Sequence, residues 1–163
     1  TNPDEADLNL INAGVQPVTR KAGMSFFEHA ESFAMIRGGH VDIAVLGAIQ
    51  VSEKGDLANW LLPGKKVGSL GGGMDLAFCA RKVIALTTHT TKDGKPKIVR
   101  QCSEPLTAPG CVDLIVTDIA VIEVTPDGLL LREVAPGWTA DEVQALTEPT
   151  LKAAADLKEM ELM

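Results

Sequence analysis

The chain alternates strand-sized apolar runs with helix-like segments, and this alternation is the feature that most constrains its fold. Residues 41–49 are nearly all apolar, with Asp42 and Gly47 the interruptions, and residues 83–86 form a second such run. Runs of this length are typical of strands buried on both faces of a parallel sheet. A helix-like segment, residues 74–81, lies between the two runs. We therefore predict an α/β fold whose open, largely parallel sheet is flanked by helices.

Local signals predict where several elements begin and end. Ser25-Phe26-Phe27-Glu28 has the form of a capping box, and Gly38-Gly39 is expected to end the helix that follows. A second capping box, Thr139 to Glu142, predicts a helix through Leu146, and Pro126-Asp127-Gly128 predicts a hairpin turn. We expect one domain over residues 1–163, in which residues 147–163 form a C-terminal tail that is helical or frayed from residue 151.

Composition excludes several classes of function. The chain of 163 residues has a net charge of −7, only 4% aromatic residues and no tyrosine, so nucleic-acid binding is not expected. No apolar run reaches the roughly 20 residues of a membrane span, and we expect a cytoplasmic protein. Three cysteines without a Cys-x-x-Cys pair suggest reduced thiols rather than a disulfide framework or a metal site.

The triple glycine Gly71-Gly72-Gly73 is the most unusual local feature. If a helix starts at Met74, the backbone N–H groups of residues 72–74 are free donors at its positive end. Such donors can hold a phosphate or a developing oxyanion. The dinucleotide fingerprint is not met, because Leu76 stands where its third glycine belongs, and no P-loop follows. A tight turn without a ligand is an equally weighted interpretation.

Other polar residues favour structural roles. Asp75 fits the first turn of the following helix, where a carboxylate complements the helix dipole. His40 follows Gly38-Gly39 and is interpreted as a junction histidine rather than a general base, since no partner is identifiable. Lys65-Lys66 could contact a phosphate, but a solvated surface pair is favoured. The histidines lack the spacing of metal ligands, so no metal is expected.

Seven segments in register give the sequence a specific resemblance to a known family. The chain strongly resembles the β subunit of family I coenzyme A transferases, of the 3-oxoacid CoA-transferase type, over about residues 8–146. The segments that carry the resemblance are Asp7-Leu8-Asn9-Leu10-Ile11-Asn12-Ala13-Gly14, Ser32-Phe33-Ala34-Met35-Ile36-Arg37-Gly38-Gly39-His40, Leu46-Gly47-Ala48-Ile49-Gln50-Val51-Ser52, Gly55-Asp56-Leu57-Ala58-Asn59-Trp60, Pro63-Gly64-Lys65, Gly71-Gly72-Gly73-Met74-Asp75-Leu76 and Pro105-Leu106-Thr107.

The resemblance implies a ping-pong transfer of coenzyme A between an acyl-CoA and a carboxylate. In the family, a glutamate attacks the acyl-CoA thioester, and an acyl anhydride and then a glutamyl-CoA thioester form. The position matching the family's backbone oxyanion donor is Gly72. The resemblance also implies that Asn59, Gly71, Gly73 and Met74 line the CoA pocket, although relatives commonly carry alanine at the position of Gly73. Coenzyme A is then a substrate, and no tightly bound cofactor is expected.

One part of the family pattern is missing from this sequence. The nucleophilic glutamate of the family lies in a Ser-Glu-Asn-Gly motif, and the chain contains no such motif. Glu5 and Glu28 are not in matching contexts, so neither is assigned that role, and His40 and Arg37 receive no catalytic role either. The sequence therefore resembles an N-terminally incomplete β subunit. Its expected partners are an α subunit and a segment carrying the catalytic glutamate, together with acyl-CoA and carboxylate substrates.

Two other functions stay open from the residues. The missing motif allows a CoA-binding or assembly module without catalysis, and the fold class allows a sugar-phosphate isomerase. Within the transferase hypothesis the acid pair is also open. Acetoacetate with succinate or acetate, oxoadipate with succinate, and butyrate with acetoacetate are all compatible.

Overall fold

Short strands and helices alternate along the chain. The computed structural model describes residues 5–12, 16–62, 64, 68 and 71–161. Within these ranges the helices are α1 (His29–Arg37), α2 (Gly73–Cys79) and α3 (Ala140–Ala145). The strands there are β1 (Asp7–Ile11), β2 (Pro17–Val18), β3 (Ile43–Gly47), β4 (Gln50–Ser52), β5 (Leu57–Ala58), β6 (Lys82–Leu86), β7 (Ile98–Val99), β8 (Leu114–Val116), β9 (Ala120–Thr125), β10 (Gly128–Val134) and β11 (Leu151–Glu159).

The contacts divide the chain into two compact units, Thr1–Ser32 and Phe33–Met163. In the first unit β1 and β2 pair antiparallel, with Asp7 opposite Val18. The backbone N–H of Asn9 donates to Asp7 Oδ1, and Arg20 Nη2 donates to Asp7 Oδ2 over 2.7 Å. The bond from Asn9 and then that from Arg20 lower the pKa of Asp7. The prediction of one domain over residues 1–163 stays a prediction.

Helix α1 ends where the sequence predicts but begins later. The Gly38 N–H donates to the Ala34 carbonyl over 2.8 Å, and Gly39 has a φ of +73°, which confirms the two-glycine stop. The predicted capping box at Ser25 is wrong, because the helix begins at His29. Phe26 and Phe27 are more than half exposed. Packing of their side chains therefore does not stabilise an additional helical turn before His29.

The second unit is built on a six-stranded sheet in the order β11-β10-β9-β8-β6-β3. The pairings β3–β6, β6–β8 and β10–β11 are parallel, and β8–β9 and β9–β10 are antiparallel. A smaller sheet has the order β5-β4-β7. The predicted α/β class with a largely parallel sheet is therefore confirmed. Parallel neighbours need a crossover, and α2 lies in the crossover from β3 to β6.

Only one face of the large sheet is buried at β3 and β6. Ala44 and Leu46 lie in the core, whereas Ile43 and Val45 are 56% and 58% exposed. The expectation that this run is buried on both faces is thus wrong. Successive side chains point to opposite faces of a strand, and an all-apolar run hides which face is covered. The buried face joins the core through Ala44, Leu46, Val83, Ala85, Ile115, Ile122, Leu129 and Leu131, with Val51, Leu57 and Ile98 of the smaller sheet.

Two local predictions in the second half of the chain are confirmed. β9 and β10 form an antiparallel hairpin around Pro126-Asp127, where Gly128 has a φ of +108°. At the start of α3, Glu142 N–H donates to Thr139 Oγ1 and Thr139 N–H donates to Glu142 Oε2 over 2.8 Å. These two bonds form the predicted capping box. The hydrogen bonds from Thr139 lower the pKa of Glu142.

The C-terminal segment is a strand rather than a helix or a frayed end. β11 pairs parallel with β10, with Leu129 opposite Leu151. Lys158 Nζ lies 3.3 Å from Glu133 Oε1 on the neighbouring strand. Alanine, leucine, lysine and glutamate favour helix locally, but pairing with the edge of β10 overrides that weak preference.

The cysteines are considered next, together with the searches for membrane-spanning helices and metal-binding groups. Cys79, Cys102 and Cys111 are free thiols, and burial raises the pKa of Cys102 and of Cys111 to about 11. No helix within the described ranges has the length and apolar character to span a membrane. In the same ranges, no group of three or more His, Cys, Asp or Glu side chains could hold a metal ion.

His89 is buried between α3 and the loop that follows β8. Its ring is 1% exposed, with Nδ1 lying 3.0 Å from Thr117 Oγ1 and Nε2 lying 2.8 Å from Thr147 Oγ1. Thr147 donates its own proton to the Val143 carbonyl, so it accepts from Nε2–H. Burial lowers the pKa of His89 to about 4, and the ring is held neutral.

We expect His89 to make the free energy of unfolding fall in mild acid. The unfolded chain binds a proton near the ordinary histidine pKa of about 6.5, while the folded state binds it only near 4. Stability is therefore complete above about pH 6.5 and declines as the pH falls toward 4. Between pH 7 and pH 5 this group contributes a loss of about 2 kcal/mol.

Denaturant unfolding at pH 7 and at pH 5 measures this loss. His89→Gln keeps polar atoms near the two threonines but does not titrate, so its unfolding free energy is expected to change less between the two pH values. An equal change in the two proteins contradicts the assignment.

Candidate functional site

The triple glycine forms the turn that enters α2. Gly71 has a φ of +49°, and Gly72 is the N-cap, with φ −88° and ψ 5°. The Leu76 N–H donates to the Gly72 carbonyl over 3.1 Å. The helix thus begins one residue earlier than Met74, at Gly73. In the part of the chain that the structure describes, no acceptor takes the N–H of Gly72.

Gly72 lies directly against an aromatic ring of α1. A Cβ added at Gly72 meets Phe33 Cζ at 3.0 Å, which is tighter than ordinary van der Waals contact. The Arg37 guanidinium lies over the same ring, 5.5 Å from its centroid. The absence of a side chain at Gly72 therefore lets the turn approach Phe33 closely.

An ion pair joins the two helices one turn further along. Arg37 Nε donates to Asp75 Oδ1 over 2.7 Å, and the two side chains are 64% and 23% exposed. Asp75 lies in the first turn of α2 as predicted, but its pairing with Arg37 was not foreseen. A partly exposed pair of this kind contributes little stability.

Asn59 lies beside the third glycine and is fixed by Thr107. The Asn59 backbone N–H donates to Thr107 Oγ1 over 3.1 Å, and the Thr107 hydroxyl donates to Asn59 Oδ1 over 2.6 Å. A Cβ at Gly73 lies 3.8 Å from Asn59 Nδ2. This amide nitrogen has no acceptor within the described ranges, so its two protons are available to a ligand. In the sequence, Thr107 was noted only as part of the segment Pro105-Leu106-Thr107. Its contact with Asn59 was not predicted.

The structure brings together all five residues assigned to the site from the sequence. Gly71, Gly72, Gly73 and Met74 are consecutive at the turn, and Asn59 lies next to Gly73. The Met74 side chain is 37% exposed, which leaves it accessible. Their roles toward a substrate stay predictions.

The other candidates considered from the sequence are His40 and the lysine pair at residues 65 and 66. The His40 ring packs against Gly38, where an added Cβ lies 2.9 Å from His40 Cδ2, in keeping with a junction histidine. Lys65 and Lys66 fall outside the described residues.

A cavity lies at the carboxyl ends of β3 and β6. Its volume is about 570 Å³, and Ala48, Ile49, Leu62, Thr88, Lys97 and Asp118 are among its lining residues. The Ile49 N–H donates to the Ala58 carbonyl over 2.8 Å, which places this wall beside the start of the Asn59 segment. The carboxyl ends of parallel strands are the usual position of ligand sites in open α/β sheets.

The chain is similar to several known proteins. A family model described as Coenzyme A transferase matches residues 2–146. The chain is 52% identical over 148 residues to a probable coenzyme A transferase beta chain of Bacillus subtilis (strain 168), covering 91% of this chain and 68% of that protein. It is 50% identical over 159 residues to the mitochondrial succinyl-CoA:3-ketoacid coenzyme A transferase 2A of Rattus norvegicus, covering 96% of this chain and 31% of that enzyme.

A solved structure is also similar. The crystal structure of the apoenzyme of an acyl-CoA transferase from Escherichia coli O157:H7 matches with a TM-score of 0.77 and 25% identity, over 93% of this chain and 33% of that one. The fold is thus the one found in part of an acyl-CoA transferase. The chain belongs to the coenzyme A transferase family, and the relative from Bacillus subtilis is named as a beta chain of such an enzyme. The predicted family is confirmed.

The two glycines at the start of α2 are expected to respond differently to an added methyl group. Gly72→Ala forces Phe33 to move and should lower the free energy of unfolding by about 1–2 kcal/mol, as overpacking does. Gly73→Ala meets only the Asn59 amide, at 3.8 Å, and should leave stability unchanged or raise it by up to about 1 kcal/mol.

Denaturant unfolding of both variants tests this difference. Phe33→Leu combined with Gly72→Ala should lose less than the sum of the two single changes, because the smaller side chain makes room. Equal effects of the two alanines, or strict additivity in the double variant, argue against the contact.

Proposed function

We propose that this chain is the β-chain portion of a CoA-transferase that moves coenzyme A between an acyl-CoA and a 3-oxoacid or short-chain carboxylate. The observation that supports this most is the close pairing of the glycine turn with the Asn59 amide, 3.8 Å from the Cβ position of Gly73, in a member of this family. Succinyl-CoA and acetyl-CoA are the donor classes considered.

The proposed reaction divides one exchange of CoA into two half-reactions. A glutamate carboxylate attacks the acyl-CoA carbonyl, and CoA leaves as a thiolate while an acyl-glutamyl anhydride forms. The thiolate then attacks the glutamyl carbonyl, releasing the first carboxylate and leaving a glutamyl-CoA thioester. The acceptor carboxylate reverses both steps and leaves as the new acyl-CoA, so each bond broken is matched by one formed.

Gly72 is proposed to donate its backbone N–H to the oxyanion of each tetrahedral intermediate. Negative charge on that oxygen develops only as the carbonyl is attacked, so a fixed donor there stabilises the transition state more than the ground state. The Phe33 ring beneath the turn and the φ of Gly72 hold this N–H in one orientation.

Asn59, Gly71, Gly73 and Met74 are proposed to line the binding site for coenzyme A. Asn59 Nδ2 offers two donors, and Thr107 fixes its amide plane. The small residues at positions 71 and 73 let a thioester-bearing chain approach the backbone, and Met74 provides apolar surface.

The remaining parts of the active site are proposed to come from other polypeptide segments. The chain has no Ser-Glu-Asn-Gly, so the nucleophilic glutamate is expected on a further segment. An α subunit is expected as partner, because a relative is named as a beta chain. We expect a hetero-oligomer in the cytoplasm. The second candidate, a CoA-binding module without catalysis, is favoured only by that missing motif.

The test uses the complete transferase, assembled with the polypeptides that complete this chain. Transfer of CoA from succinyl-CoA or acetyl-CoA to acetoacetate, butyrate or oxoadipate is measured, together with a CoA adduct on a glutamate by mass spectrometry. Exchange with the adduct is expected. Binding of CoA without exchange or adduct supports the second candidate instead.

Removing the Gly72 N–H should lower kcat by at least about 10²-fold, as for other oxyanion donors. Gly72→Pro removes the N–H, whereas Gly72→Ala adds the same Cβ beside Phe33 but retains it. The alanine variant is therefore the matched control and should keep most of its kcat. If the two folded variants have similar kcat values, Gly72 does not donate to the oxyanion.

A further inference from the structure

A single buried hydroxyl determines which atom of the Asn59 amide is left free. Thr107 is 3% exposed. Its Oγ1 accepts the Asn59 backbone N–H over 3.1 Å and donates its own proton to Asn59 Oδ1 over 2.6 Å. A hydroxyl has one proton, so the amide oxygen is turned toward Thr107. Within the part of the chain that the structure describes, Asn59 Nδ2 keeps both of its protons without an acceptor.

The reversed orientation of the same amide is disfavoured. Half a turn about the last side-chain bond of Asn59 would place Nδ2 against the Thr107 hydroxyl. The hydroxyl would then accept two N–H groups, and its own proton would lose its acceptor at a buried position. A buried donor without an acceptor is costly. Thr107 therefore determines the direction of the amide as well as its plane.

The amide head group lies against the glycine turn. The Cβ position of Gly73 is 3.8 Å from Asn59 Nδ2 and 3.9 Å from Asn59 Oδ1. In the observed orientation this head group offers donors to a ligand at the turn. In the reversed orientation it would offer a carbonyl oxygen, which cannot donate to an oxygen atom of a ligand.

Thr107 is itself held by contacts along its own segment. Its backbone N–H donates to the Leu57 carbonyl over 2.7 Å, and Trp60 Nε1 donates to the carbonyl of the residue before Thr107 over 3.2 Å. Gln50 Oε1 accepts the backbone N–H groups of residues 103 and 104 over 2.9 and 3.1 Å. The hydroxyl is thus anchored to the strands β4 and β5 and cannot follow a rotating amide.

We propose that Thr107 is a positioning residue for the binding of acyl-CoA, whose hydroxyl holds the Asn59 amide with Nδ2 directed at an oxygen atom of the bound thioester substrate. The inference rests on the proposed transferase function. The thioester, amide and phosphate oxygens of an acyl-CoA are hydrogen-bond acceptors, so a side chain that offers only donors matches them. Thr107 acts through Asn59 and does not contact the substrate.

The test removes the hydroxyl from the complete transferase while keeping the shape of the side chain. Thr107→Val should raise KM for acyl-CoA by about 3- to 10-fold, the range for one uncharged hydrogen bond. We expect kcat and the KM for the carboxylate acceptor to change less than about twofold, since the lost contact is made equally in the ground state and the transition state. Thr107→Ser retains the hydroxyl and should keep KM for acyl-CoA within about twofold of the unaltered enzyme.

A double-variant cycle separates positioning from a structural role. Asn59→Ala should raise KM for acyl-CoA at least as much as Thr107→Val does. Adding Thr107→Val to Asn59→Ala should then change KM less than about twofold, because the side chain through which Thr107 acts is absent. A structural role of Thr107 predicts the same factor in both backgrounds.

Thr147→Val is the matched control for lost stability. Thr147 is also buried, 5% exposed, and its hydroxyl also has two hydrogen bonds, with His89 Nε2 and the Val143 carbonyl. This variant should lower Tm as Thr107→Val does but leave KM for acyl-CoA unchanged. If Thr107→Val does not fold, Thr107→Cys supplies a weaker donor and should give a KM between those of the serine variant and Asn59→Ala.

Four results overturn the inference. They are an unchanged KM for acyl-CoA in the folded Thr107 variants, an unchanged KM in Asn59→Ala, an equal rise with and without Asn59, and an equal rise in Thr147→Val. A fall in kcat at constant KM also contradicts it, because Asn59 would then act on the transition state. In each case continued exchange leaves the transferase function intact, whereas absence of exchange in the unaltered enzyme removes both proposals.

Discussion

The parallel pairing of β3 with β6 is the constraint on which the rest of the second unit depends. The pairing runs from Ile43 opposite Lys82 to Gly47 opposite Leu86, so both strands end at the same edge. Two parallel neighbours require a crossover, and α2 lies within it. Just beyond the strand ends, the Thr87 hydroxyl donates to the Ala48 carbonyl over 2.8 Å. Ala48 lines the cavity and the Thr87 hydroxyl oxygen also accepts from Lys97 Nζ, so this bond connects the cavity wall to Lys97.

The glycine turn that enters α2 depends on contacts from two directions. Phe33 lies so close to Gly72 that an added Cβ would be crowded, whereas Asn59 lies at ordinary contact distance from the Cβ position of Gly73. Thr107 fixes Asn59 through the hydrogen bond to its Oδ1. The backbone N–H groups of the turn are therefore oriented by packing rather than by the glycines alone. Under the proposed function, donors held in this way need no rearrangement as charge develops.

Three structural features that depend on residues close together in the chain could be predicted from the sequence. The Gly38-Gly39 stop, the turn at Gly128 and the Thr139 capping box each depend on neighbours in the chain. The strand Leu151–Glu159 could not be predicted, because its residues favour helix and only the distant edge of β10 decides. The exposed face of β3 was missed for a similar reason. When all side chains of a strand are apolar, the sequence does not indicate which face of the strand is buried.

The residues of the candidate site divide in the same way. Some could be found from a local sequence pattern, and others only from contacts between residues that are distant in the chain. Gly72 and Asn59 lie in sequence segments that resemble a family, whereas nothing local distinguishes Lys97 from Lys95. Lys97 becomes notable only because Thr87 and Thr88 hold its ammonium group at the end of β6.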